Sequence, residues 1–137
     1  MTEINILETI NRFWEARLAD DKERVRSFMT PDATYEMVGA NAFADPAAVG
    51  PSPARVAVDR LVDAFQFHHR EQLTAIVDGL RAATVSWLEV SFRGGAPVKS
   101  EACDVWEFDT AGKVASLRQF VDTELVRSLV ESGSKGL

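Results

Sequence analysis

The sequence predicts an α+β domain in which a curved, cone-shaped antiparallel β-sheet packs against three helices. Two observations carry this. Apolar residues recur at helical spacing in three segments of the first half, and from about Arg70 the pattern changes to β-rich runs separated by turn residues. Size agrees: 137 residues suit one domain, assigned to 1–130, with 131–137 as a flexible tail.

The opening helix rests on Ile6, Ile10, Phe13, Trp14 and Leu18, with Glu8, Asn11, Arg12 and Glu15 between them, a stripe that must lie across an apolar surface. Asp20 and Asp21 offer an N-cap to a short second helix carrying Val25, Phe28 and Met29, stopped by the turn signal Thr30-Pro31-Asp32. Ala33 to Val38 reads as a strand. Asn41 to Pro51 has Ala, Gly and Pro without periodicity and reads as a loop, a candidate cover for a cavity mouth. Ser52 as N-cap and Pro53 as first helical residue start a third helix, on which Val58, Leu61, Val62 and Phe65 recur at helical spacing. Turns at Asp78-Gly79, Arg93-Gly94-Gly95 and Asp109 to Gly112 then divide the chain into a four-stranded antiparallel meander. Thr123 to Val130 reads as a terminal helical turn. A sheet with helices on one side curls into a cone, leaving an apolar cavity roofed by the first and third helices.

Composition excludes several functions. A net charge of -6 and a pI near 4.9, with no Lys/Arg cluster, argue against nucleic acid. No apolar run approaches a bilayer-spanning length, and the N-terminus lacks a signal-peptide pattern, so a cytoplasmic protein is expected. Cys103 is the single cysteine, which excludes an internal disulfide; no metal and no cofactor is expected.

Period two along Glu101 to Asp109 places Ala102, Asp104, Trp106 and Phe108 on one apolar face, so the lone carboxyl of Asp104 is desolvated, its pKa raised, and a protonated hydrogen-bond donor results. A structural aspartate paired with an arginine or main-chain N–H groups is the alternative. A hairpin closed at Thr110-Ala111 sets Asp104 opposite Leu117, with Gln119 its diagonal neighbour. Tyr35, the only tyrosine, shares a strand face with Met37 and is a donor or a packing residue. Trp14 brings an indole N–H but is more often core at such a position. Phe13, Met37, Phe65, Trp106 and Leu117 read as cavity wall. His68 and His69, at the end of the third helix or the start of the next strand, are the side chains whose unperturbed pKa lies nearest neutrality; they are either acid/base candidates, His69 slightly ahead, or histidines held simply by the helix dipole. Whether Val85 and Trp87 face outward depends on how many residues form the Arg93-Gly94-Gly95 turn, since one residue of slip reverses every side chain, and an outward tryptophan on the sheet implies a partner.

The stretches Phe28 to Glu36, Cys103 to Asp109 and Gly112 to Phe120 resemble the ketosteroid isomerase and SnoaL-like families of the nuclear transport factor 2-like superfamily, over nearly the whole chain. The resemblance implies the cone fold, a small, mostly apolar carbonyl or cyclic ligand, and isomerisation, cyclisation or dehydration, or else binding or dimerisation without catalysis. In ketosteroid isomerases a tyrosine, a carboxylate base and a protonated aspartic acid act together; their places fall on Phe13, Met37 and Asp104. The acid/base aspartate of SnoaL-like cyclases falls on Gln119, and the Asp-Arg-Asp set of limonene epoxide hydrolases falls on Asp104, Ala102 and Gln119. The resemblance also favours a three-residue turn at Arg93-Gly94-Gly95, which directs Thr84, Ser86, Leu88 and Val90 to the cavity and Val85, Trp87 and Glu89 outward, and it implies a homodimer through the sheet's outer surface.

Overall fold

The computed structural model describes residues 5–38 and 52–135. Helix α1 (Ile6–Leu18) starts where the Asn5 side chain accepts the Glu8 N–H, and Ile6, Ile10, Phe13, Trp14 and Ala16 are buried along its inner side. Helix α2 (Lys22–Ser27) is capped by Asp21, whose carboxylate accepts the Arg24 N–H. It ends two residues earlier than its apolar pattern suggests. Phe28 is its C-cap, and Met29 already opens strand β1 (Met29–Val38), because Met29 pairs with Val114 across the sheet, ahead of an irregularity that lasts until Thr34.

Ser52 and Pro53 form a two-residue strand, β2, opposite Tyr35 and Thr34, rather than a helix start. Helix α3 (Ala54–Ala64) follows Pro53, which provides no side-chain cap. Strand β3 (Phe65–Asp78) begins directly after it, five residues before Arg70, so His68 and His69 are strand residues. Strands β4 (Arg81–Phe92), β5 (Val98–Phe108) and β6 (Val114–Val121) complete the antiparallel meander. The curved, unclosed sheet runs β2-β1-β6-β5-β4-β3. It is mixed rather than wholly antiparallel, because the meander brings β6 alongside β1 in the same direction.

The largest departure is at the C-terminus. Instead of one turn and a loose tail, Thr123–Lys135 is a 13-residue helix, α4, giving four helices among the described residues instead of three. Val126 and Leu129 are buried and Val130 packs against the core, so tertiary burial outweighs the weak propensity of Gly133 and its flanking serines. The Asn41 to Pro51 segment lies outside the described residues. No helix among the described residues is long and apolar enough to cross a membrane.

Both face assignments in the meander agree with the buried pattern. Thr84, Ser86, Leu88 and Val90 are buried on β4, and Ala102, Asp104, Trp106 and Phe108 on β5. Trp106 is the centre of this interior. Its ring meets Phe13 edge-on at 5.2 Å and stacks on Phe108 at 6.2 Å, and its indole N–H donates to Thr84 Oγ1 at 3.0 Å.

Candidate active site

Strand pairing and one helix assemble the polar residues of the interior. Asp104 stands directly opposite Gln119, two positions from the register expected of a tight turn. The β5–β6 connection explains the slip: Asp109 Oδ1 accepts the N–H groups of Ala111 and Lys113, which makes a three-residue turn, and a bulge between Glu107 and Phe108 adds one more residue. Two slips of one leave every side chain on its expected face while bringing Gln119 closer. Tyr35 reaches the same place from β1, where it pairs with Leu117 and donates its hydroxyl to Gln119 Oε1 at 2.7 Å. Trp14 descends from α1 and donates its indole N–H to Asp104 Oδ2 at 3.2 Å.

Asp104, Tyr35, Gln119 and Trp14 are thus one buried cluster, each no more than 1% exposed. Within it Asp104 Oδ1 makes no hydrogen bond. Burial pushes the Asp104 carboxyl from its ordinary 3.8 up to about 7; the Arg70 charge and side-chain hydrogen bonds from Gln119 and Trp14 pull it partly back. Burial likewise raises the Tyr35 hydroxyl, offset in part by the charge of the Arg17 guanidinium and by a hydrogen bond with it. Tyr35 is therefore a neutral donor at pH 7, while Asp104 exchanges its proton near neutrality.

Phe13 packs edge-on against Tyr35 at 6.4 Å as well as against Trp106, and Leu117 is fully buried opposite Trp106, so both are walls of the cluster. Met37 and Phe65 line a small apolar cavity together with Phe67, Leu88, Val90 and Val126. The last of these belongs to α4, so the cavity is closed by the C-terminal helix as well as by the sheet. Trp14 links the two parts, its ring edge-on to Phe67 at 5.2 Å.

His69 is not brought to the cluster. A register irregularity between Phe67 and His69 sets His69 opposite Glu89 and Arg70 opposite the buried Leu88, so the histidine turns outward, its ring against Trp87, while the arginine turns inward. His68 is also off the cluster, sharing a 2.7 Å hydrogen bond with Ser91. Among the described residues no group of side chains is arranged to hold a metal ion.

Two arginines were not singled out by the sequence. Arg70 donates to Ser86 Oγ at 3.1 Å and lies 5.2 Å over the Trp14 ring, so it holds the indole that holds Asp104. Arg17 is fully buried, its Nη2 donating to the Leu61 carbonyl at 2.9 Å and its guanidinium 4.6 Å over Phe67. A signal for Arg17 existed: it falls three residues after Trp14 and seven after Ile10, on the apolar stripe of α1. For Arg70 none did, because the irregularity in β3 reverses the faces that simple alternation assigns.

Comparison with known proteins agrees with this architecture. The most similar solved structures include an NTF2-like protein of unknown function from Burkholderia pseudomallei, 18% identical with a TM-score of 0.72, over 95% of this chain and 98% of that one. An LEH-like epoxide hydrolase of M. tuberculosis is 18% identical with a TM-score of 0.68, over 93% and 90%. SalBIII, an epoxide hydrolase/cyclase-like enzyme of pyran ring formation in the polyether salinomycin, is 19% identical with a TM-score of 0.64, over 87% and 92%. At these identities the likeness concerns the fold. No curated protein matches the chain. The profile of the SnoaL-like domain matches residues 10–117, from the middle of α1 to Leu117 on β6. That span contains Trp14, Tyr35, Arg70 and Asp104 and most of the sheet, and the chain accordingly belongs to the SnoaL-like family of the nuclear transport factor 2-like superfamily.

Proposed function

We propose that this protein is a cofactor-independent acid/base catalyst acting on a small, mostly apolar carbonyl or cyclic compound, with Asp104 as the catalytic residue. The observation that carries the reading is a fully buried carboxyl group with one oxygen fixed by Trp14 and the other without a partner. A buried oxygen left unpaired costs about 1–3 kcal/mol, so a site that keeps one has a use for it. In its protonated form Asp104 donates from Oδ1 to a substrate oxygen and polarises it. Developing negative charge on that oxygen is stabilised in a dry interior, where a hydrogen bond is worth more than in water. Trp14 keeps the carboxyl oriented, and Tyr35 orients Gln119. The reaction class that suits one group exchanging its proton near neutrality is isomerisation, cyclisation or dehydration, in which ionised Asp104 takes the proton of an acidic C–H bond and the protonated form returns it to the substrate. His69 has no part in it.

The test is turnover of cyclic ketones and enones. A substrate found with the wild-type chain should lose at least about a hundredfold in kcat in Asp104→Asn, with the circular dichroism spectrum unchanged. Equal turnover by the variant contradicts the reading.

We also propose association of two copies through the outer face of the sheet, where Val105 and Phe120 are 37% and 39% exposed. Sedimentation should give a dimer that Phe120→Glu converts to monomer; a wild-type monomer at micromolar concentration contradicts it.

A further inference from the structure

The cluster around Asp104 leaves Arg17 unexplained. Its guanidinium is enclosed, and among the described residues no carboxylate pairs with it. It donates to the Leu61 carbonyl, which also receives the Phe65 N–H, and it hydrogen-bonds the Tyr35 side chain. Its Nε and Nη1 make no hydrogen bond. An uncompensated buried cation with two idle donors is a net cost to the folded state, and folds retain such groups where the compensating charge comes from elsewhere. The surroundings have the matching character. Phe67, over which the guanidinium lies, is a wall of the apolar cavity, and the Tyr35 hydroxyl is near enough to feel the charge. Arg70 adds a second cation beside Asp104.

We propose that the ligand of this site is an organic anion with its charge on oxygen, a carboxylate or an ionised enol, and that Arg17 receives that oxygen through Nε and Nη1. The proposal rests on the reading of the interior as a ligand site and narrows the ligand from a carbonyl compound to an anionic one. Two donors in a planar fork match two oxygen lone pairs, and such charge-assisted bonds are strong where water is excluded.

Benzoate and benzamide, matched in shape and different in charge, test it by calorimetric titration at pH 7. The wild-type chain should bind benzoate about tenfold or more tightly than benzamide, and Arg17→Met should bind the two alike. Without ligand, Arg17→Met should melt no lower than the wild type, because it removes an unpaired charge. An arginine serving only to hold α1 against α3 would instead lower the melting temperature. Equal binding of the two probes, no binding of benzoate, or a preference that survives in Arg17→Met overturns the proposal. Should Arg17→Met not fold, Arg17 is structural and the proposal also falls. Benzamide binding that is lost in Asp104→Asn without a benzoate preference overturns this proposal alone. A benzoate preference together with unchanged turnover in Asp104→Asn overturns the catalytic reading alone.

Discussion

Trp106 and Asp104 lie two residues apart on the same face of β5, both fully buried, and their surroundings are opposite in kind. Around Trp106 everything is matched: two aromatic rings in contact and an indole N–H satisfied by Thr84. Around Asp104 the matching is incomplete, with one carboxyl oxygen unpaired and a pKa near neutrality. The difference shows which part of the interior serves stability and which is held at some expense for chemistry. Pure packing has no reason to place a carboxyl group beside Trp106, where a leucine would fit the face better.

Substitutions at the two positions should therefore behave differently. Trp106→Ala should have the largest effect, a loss of about 3–5 kcal/mol in urea unfolding at any pH, because it opens a cavity among Phe13, Phe108 and Leu117. A loss under about 1 kcal/mol would remove Trp106 from the structural core.

Asp104→Asn should instead show an effect that depends on pH. The folded-state pKa lies above the unfolded one, so the native state binds more protons between 3.8 and about 7. Wild-type stability relative to the variant is full below that window and falls as pH rises through it, by up to about 4 kcal/mol. Parallel stability curves for the two chains from pH 4 to 8 would contradict the burial of an ionisable group here.

Smaller effects should separate the groups that tune Asp104. Arg70 is the largest of the influences that lower its pKa, so Arg70→Met should move the midpoint upward more than Trp14→Phe does. Trp14→Phe also removes the hydrogen bond to Oδ2, at a stability cost of about 1 kcal/mol. Midpoints that stay in place in both variants would show that burial alone sets the proton.

Most of the fold is legible in the sequence because apolar periodicity reports burial directly. The stripe on α1 and the alternation on β4 and β5 each place their residues on the observed faces, Asp104 included. What was not legible depends on single-residue irregularities and on tertiary contacts. The side-chain bonds of Asp109 and the adjoining bulge decide that Gln119, not Leu117, faces Asp104. One irregularity after Phe67 exchanges the roles of His69 and Arg70. Helix α4 was hidden by Gly133 and its serines, although Val126, Leu129 and Val130 stand at helical spacing. Arg17 is illegible for another reason, since a charged residue near a helix end ordinarily faces water.

Catalysis by this interior depends most on the proton of Asp104. Carbon-13 NMR titration of its carboxyl group in the wild-type chain, assigned by comparison with Asp104→Asn, measures that proton directly. A midpoint close to 7 is predicted. A midpoint in the ordinary range near 3.8 would contradict it, leaving Asp104 an ionised structural residue.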